Sequence, residues 1–210
     1  MNSGSDATIN EIARIFAEAG EKIIGQSTNS KISTAPTIQK VPSVFLKPDI
    51  GCFVQFNGDY SGLFIMNFSA AVALELYRKT LLFMGMPEEE LATEHTSDEV
   101  VDSIGELVNQ IIGNARSIIM ERYGLIATNP QPKAINISSV ITMAIAAPLN
   151  RPQCRRIAFR SADNHTFHIE FSMEETEFIA INTSDETVAK DDSNACQSDS
   201  DEINDILNGL

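Results

Sequence analysis

The sequence predicts an α+β domain in which a mixed or antiparallel β-sheet carries long helices packed on it. Two long stretches, 7–25 and 98–123, repeat apolar residues at helical spacing. Short apolar or alternating segments, separated by turn residues, cluster after the first of these helices and again after the second. Runs of helix followed by runs of strand, rather than strict alternation, point to segregated α and β layers.

In chain order, the helix at 7–25 rests on Ile9, Ile12, Ala13, Phe16, Ala19, Ile23 and Ile24, with Gly25 as its stop. A polar connector, Gln26 to Pro36, leads to strands at 37–46, 51–56 and 62–68. Asn57-Gly58-Asp59 joins the last two as a tight hairpin turn. Leu63 to Phe68 is apolar almost throughout, the pattern of a central strand covered on both faces. Ser69 N-caps a second helix, 70–84, which ends at Gly85, and Met86-Pro87 breaks the chain. After a charged connector with a helical turn, Thr96 or Ser97 caps the helix at 98–123. Asp98 and Glu99 sit at its positive end and Gly124 closes it. The last third reads as strands at 134–147, 155–159, 165–171 and 177–181, with Asp163-Asn164 as a hairpin turn. Leu63-Phe64-Ile65-Met66-Asn67-Phe68-Ser69 resembles Thr166-Phe167-His168-Ile169-Glu170-Phe171-Ser172, read as an internal pseudo-repeat.

Composition narrows the function classes. A formal net charge of -14 argues against nucleic-acid partners, because little here neutralises a phosphate backbone. No apolar run is long enough to span a bilayer, and the first residues lack the pattern of a signal peptide, so a cytoplasmic protein without membrane partners is expected. Cys52, Cys154 and Cys196 are far apart, and the first two read as buried small hydrophobes. His165 and His168 are three apart, which in a strand places them on opposite faces, so no metal site is expected. After residue 182 the composition turns acidic: residues 183–210 hold eight acidic residues against one lysine. The expected organisation is a folded domain over 1–182 and an acidic tail over 183–210. Ile203, Ile206 and Leu207 near the tail's end stand at helical spacing, as in a short segment that folds against a partner groove.

Chemistry is concentrated on the long helix. Ile104, Leu107, Val108, Ile111, Ala115, Ile118 and Ile119 form its apolar face, and Asp102, Glu106, Asn109 and Gly113 share the opposite one. Asp102, Glu106, Asn109 and, after residues 110–131, Pro132 fit the spacing of a known signature. The pattern resembles the CheC/CheX/FliY family of chemotaxis phosphatases, whose signature is Asp or Ser, three residues, Glu, two residues, Asn, then twenty-two residues and Pro. Members with two sites repeat Glu-x-x-Asn in the first helix; here Glu11 is followed three residues later by Arg14, and Glu18 by Glu21, so the chain is most similar to single-site CheX. The tail from Asp199 to Leu207 is similar to the peptide with which flagellar switch proteins dock CheY, although it departs at the opening pair and at Asn204 and Asp205.

The resemblance implies a two-component signalling enzyme that hydrolyses the phosphoaspartate of a CheY-like response regulator. Asn109 would orient the attacking water and Glu106 would pair with the regulator's lysine. The chain would bind no cofactor of its own, the Mg²⁺ being the regulator's. Dimerisation through sheet edges is likewise implied. Independently of the family, an amide is no base and no nucleophile accompanies it, so the pair suits a substrate already activated, where positioning water is most of the task. Asp102 is expected to hold the helix start or touch the partner, and Pro132 to shape a turn. Gly105 and Gly113 admit two readings, approach by partner loops or close helix packing. The alternative function is a non-catalytic module of the same fold that binds a response regulator or a flagellar component.

Overall fold

A computed structural model describes residues 3–137, 143–144 and 148–179. The chain divides into Met1–Phe178 and Ile179–Leu210, and the elements described all belong to the first unit. They are α1 (Ser3–Thr28), β1 (Ser33–Val41), β2 (Phe45–Leu46), β3 (Ile50–Gly58), β4 (Gly62–Phe68) and α2 (Ala70–Phe83), then α3 (Asp98–Tyr123), β5 (Ala127–Thr128), β6 (Lys133–Asn136), β7 (Met143–Ala144), β8 (Gln153–Arg160) and β9 (Thr166–Met173). A single turn of 3₁₀ helix, Glu88–Glu90, lies between α2 and α3.

Seven strands form one sheet in the order β1-β8-β9-β4-β3, with β5 and β6 both paired to β3. Every pairing is antiparallel, which decides between the mixed and antiparallel alternatives. The sheet has an approximate internal two-fold: β9 lies beside β4, β8 corresponds to β3, and β1 crosses to β8 as β6 crosses to β3. The short pair β2–β7 obeys the same relation. The likeness between Leu63–Ser69 and Thr166–Ser172 thus belongs to the two central strands, and α1 and α3 are the corresponding helices, each of 26 residues.

Strand alternation sorts the side chains onto two faces. Phe64, Met66 and Phe68 of β4 join Phe167, Ile169 and Phe171 of β9 beneath the helices, where Phe16 of α1 packs 5.1 Å from Phe64 and 5.6 Å from Phe171. Leu63 and Ile65 face the other way and form a smaller cluster with Val44, Leu46, Ile137 and Cys154. All seven residues of β4 are buried, as its unbroken apolar run requires. Cys52 and Cys154 are buried free thiols, and burial pushes Cys52 up to about 12.

Several boundaries differ from the sequence reading. α1 passes through Gly25 and ends where Asn29 turns left-handed (φ 46°) and Ser30 donates its N–H back to the Gly25 carbonyl at 3.2 Å. The expected strand at 37–46 starts earlier and breaks after Val41, where Pro42 has no N–H to give the ladder. Asn57-Gly58-Asp59 is no tight hairpin turn: pairing with β4 stops at Phe56 and Gly62, while β3 runs on through Gly58, whose pairing partner is Ala127 of β5. A Cβ at Gly58 would stand 2.3 Å from the Ile126 carbonyl oxygen, so a glycine is needed for this close approach. Residues 177–179 form no strand; Phe178 instead donates its N–H to the Thr8 hydroxyl at 3.1 Å and packs on the core. The remainder of the strands expected at 134–147 and 177–181 lies outside the described residues.

Two buried carboxylates fasten elements to the sheet. Glu170, fully buried, accepts from Lys47 (2.6 Å), Arg156 (2.8 Å) and the Phe45 N–H (3.2 Å), holding the β2 segment to the face away from the helices. Glu75 of α2 accepts from Lys79 (2.8 Å), the Ser161 hydroxyl (2.6 Å) and the Asp163 N–H (3.1 Å), and lies 2.8 Å from His165 Nδ1. Burial pushes the Glu75 carboxyl up, but the Lys79, Ser161, His165 and Asp163 contacts together bring it below its ordinary value of 4.5. A depressed carboxyl stabilises the fold above its unfolded-state pKa, and that contribution is lost as pH falls through the folded value. Glu75→Gln is therefore expected to cost about 2 kcal/mol at pH 7, read by urea denaturation. The gap from wild type should narrow as pH falls below the ordinary carboxyl range; a gap independent of pH would contradict the assignment.

Candidate functional site

The helix that carries the motif is fixed at both ends. The Ser97 hydroxyl accepts the Val100 N–H at 3.4 Å, Asp98 and Glu99 occupy the first turn, and Arg122 the last. Gly124 adopts φ 68° and donates to the Met120 carbonyl at 2.9 Å. Val100, Ile104, Leu107, Val108, Ile111, Ile112, Ala115 and Ile119 are buried on the inner face. Helical period then leaves Asp102, Glu106 and Gly113 exposed and Asn109 half-buried along one outer stripe.

Glu106 and Asn109 stand one turn apart, about 5–6 Å between Cβ atoms. Among the described residues, the side chains of Asp102, Glu106 and Asn109 make no hydrogen bond or ion pair. The carboxylate and amide can therefore be turned toward a common external target without first breaking a contact. Pro132 is buried immediately ahead of β6, and Gly105 faces that strand, where an added Cβ would stand 3.7 Å from the Ala134 Cβ. Gly113 has nothing within 4 Å of such an atom. Close packing therefore accounts for neither glycine; at Gly20 of α1, by contrast, a Cβ would press on Phe159 at 3.2 Å.

The position on α1 related to this stripe by the internal two-fold is built differently. Ile9, Ile12, Ala13 and Phe16 take the inner-face places that Ile104, Leu107, Val108 and Ile111 take on α3, which sets Glu11 opposite Glu106 and Arg14 opposite Asn109. There Arg14 donates to Glu11 at 2.9 Å and the Tyr123 hydroxyl donates to Glu11 at 3.2 Å. That carboxylate is engaged in binding α1 to the end of α3, and no amide accompanies it.

Beyond Asn109 the stripe runs into an open cavity of about 240 Å³ lined by Gly113, Arg116, Ser117 and Met120 of α3 and by Leu125, Ile126 and Ala127. Sequence reasoning did not find this groove. One wall comes from the chain after Gly124, whose position depends on long-range pairing with β3 that local pattern does not report. His165 and His168 lie on opposite sides of the sheet: the first meets Glu75 of α2, and the second projects beside Glu170 on the face away from the helices. Burial and the nearby Arg156 and Lys47 lower the His168 pKa. Among the described residues, no three His, Cys, Asp or Glu side chains come together as a metal-binding group, and no helix is long and apolar enough to cross a membrane. Ile203, Ile206 and Leu207 lie outside the described residues.

Residues 6–207 match the family described as "Protein of unknown function (DUF3334)", and the chain belongs to that family. No curated protein matches it. Among solved structures, the chemotaxis protein CheX from Desulfovibrio desulfuricans is 19% identical and aligns over 78% of this chain and 99% of its own, with a TM-score of 0.64. A CheC-like superfamily protein from Shewanella sp. PV-4 is 20% identical over 78% and 97% of the two chains, with a TM-score of 0.62. A CheX–CheY–BeF3–Mg²⁺ complex from Borrelia burgdorferi is similar at 13% identity, over 78% and 97%, with a TM-score of 0.59. The fold is that of the CheX and CheC-like proteins, in agreement with the motif's resemblance.

Because Gly113 is exposed, helical and unobstructed, Gly113→Ala should stabilise the protein by about 0.5–1 kcal/mol through helix propensity alone. Thermal or urea denaturation reads this. A destabilisation would mean that the position is closed in the folded protein.

Proposed function

We propose that the chain is a phosphatase of a phosphorylated CheY-like response regulator in two-component signalling, and that Glu106 and Asn109 complete the regulator's own active site. The observation that carries this reading is the pair itself: an unengaged carboxylate and an unengaged amide, one turn apart on the outer stripe of a rigid, doubly capped helix. The sheet fold shared with CheX supports it, as does the CheX of the Borrelia complex, which is bound to CheY.

An aspartyl phosphate is an acyl phosphate, so its carboxylate is already a good leaving group. What the reaction needs is a water held in line with phosphorus and exclusion of other geometries. The Asn109 side-chain carbonyl accepts a hydrogen bond from that water and directs its lone pair at phosphorus. As the new P–O bond forms, the bond to the aspartyl oxygen breaks, its electron pair stays on the carboxylate, and the water proton leaves with inorganic phosphate. Glu106 pairs with a lysine beside the phosphoaspartate and fixes the inserted helix. The Mg²⁺ belongs to the regulator, where it neutralises phosphoryl charge. Asp102, at the start of the same stripe, touches the regulator's rim, and Pro132 acts from inside the fold on the path of β6. The acidic tail, 183–210, is proposed to tether the regulator through Ile203, Ile206 and Leu207, raising its effective concentration at α3.

The test is loss of radiolabelled phosphate from a CheY-like regulator. Asn109→Ala should slow decay on the order of 10²-fold at saturating regulator, with binding retained. Equal decay with wild type and variant would overturn the catalytic reading. Regulator binding by wild type without any acceleration of decay would instead favour the non-catalytic binding module.

Removing residues 183–210 should raise KM and leave kcat unchanged. An unaltered KM would remove the tether from the account.

A further inference from the structure

The exposed apolar residues of the groove beyond Asn109 are held by backbone bonds. Ile126 is 58% exposed and Met120 54% exposed, and both line the cavity. The Ile126 wall is not loose: Asp59 donates its N–H to the Ile126 carbonyl at 2.8 Å and accepts the Ile126 N–H on its carboxylate at 2.8 Å. The next residues, Ala127 and Thr128, pair with Gly58 and Asn57. Gly58 admits this wall because any side chain there would collide with it. Met120 stands on the last turn of α3, whose cap bond its own carbonyl accepts. An apolar pair is thus presented to solvent by two rigid supports, with Gly113 leaving the entrance open.

The same cavity is lined by a cation, Arg116. Arg116 donates through Nη1 to Asn129 Oδ1 at 2.8 Å, while its Nε is buried and has no partner among the described residues. The outer stripe is therefore polarised: anionic at Asp102 and Glu106, cationic at Arg116, about 15 Å further along the helix.

We propose that this groove is the second half of the regulator-docking surface and sets which receiver is accepted. Its occupant is a receiver loop carrying one bulky apolar side chain, seated against Met120 and Ile126, and an acidic or other acceptor group that meets the half-buried Arg116 side chain at the cavity wall. The assignment rests on the phosphatase reading above for the partner's identity. It is carried by continuity with the Glu106–Asn109 stripe and by the opposed charges at its two ends. A receiver with a cation at one end of the contact and an apolar side chain and acceptor at the other is oriented by the stripe before chemistry begins.

The experiment compares wild type, Met120→Ala/Ile126→Ala and Asn109→Ala. It uses BeF3-loaded CheY-like receivers for affinity and the same receivers, phosphorylated, for turnover. Both groove residues are largely exposed, so the double variant should keep its fold, checked by circular dichroism. It is expected to raise Kd and KM for the best receiver about tenfold or more while kcat at saturation stays unchanged. It should also flatten the preference among receivers. Arg116→Gln should weaken the same receivers in the same order. An unchanged Kd and KM in the double variant, with Asn109→Ala still abolishing turnover, overturns the groove assignment and leaves the phosphatase reading standing. If Asn109→Ala has no effect yet the double variant loses receiver affinity, the groove assignment holds and the phosphatase reading falls.

Discussion

The proposed function depends on how α3 is seated. Its inner face, from Val100 to Ile119, is buried against the rest of the core. At about 100° per residue, that burial leaves no freedom in which residues face outward. Asp102, Glu106, Asn109 and Gly113 form the outer stripe because Ile104, Leu107, Val108 and Ile111 are inside. The N-cap at Ser97 and the left-handed Gly124 fix where the helix starts and stops, and so fix the height at which the stripe is presented. Rotating α3 to withdraw the stripe would expose several fully buried side chains, each worth about 1.5–3 kcal/mol. The site is rigid for the same reason that the core is stable.

The internal two-fold explains why one such stripe exists rather than two. α1 and α3 are equal in length and take corresponding places on a sheet whose strands are related in the same way. At the related position the amide is replaced by Arg14, and Glu11 is taken up by Arg14 and Tyr123. One half of a symmetric frame holds its polar pair open, while the other uses the corresponding carboxylate as a contact between helices. A symmetric fold therefore yields an asymmetric surface through two or three side chains.

Much of this was legible because the signals were local. The bounds of α3 follow from Ser97, the acidic first turn and Gly124, each acting within one turn of helix. β4 announces its central place by an apolar run that only a doubly covered strand can bury, and Asp163-Asn164 turns between β8 and β9 as its residue types suggest, with Asn164 at φ 68°. Where reading failed, a distant partner had intervened. Asn57-Gly58-Asp59 has the composition of a tight turn, yet Gly58 serves the approach of residues 126 and 127, far away in sequence. Gly25 looked like a helix stop, but the left-handed residue is Asn29. Phe178 looked like part of a strand but is anchored through Thr8. The spacing of Glu106, Asn109 and Pro132 was readable. The groove of Arg116, Met120 and Ile126 was not, since its second wall exists only once β5 has found β3.

The central claim is that the outer stripe of α3 is where another protein's active site is completed. Nuclear magnetic resonance of the ¹⁵N-labelled chain, titrated with a BeF3-loaded CheY-like receiver, tests it most directly. Amide shifts should gather at Asp102, Glu106, Asn109 and Gly113, with the corresponding stretch of α1 around Glu11 and Arg14 unmoved. Shifts confined to α1 or to the sheet edge at β1, with α3 silent at saturation, would contradict the account.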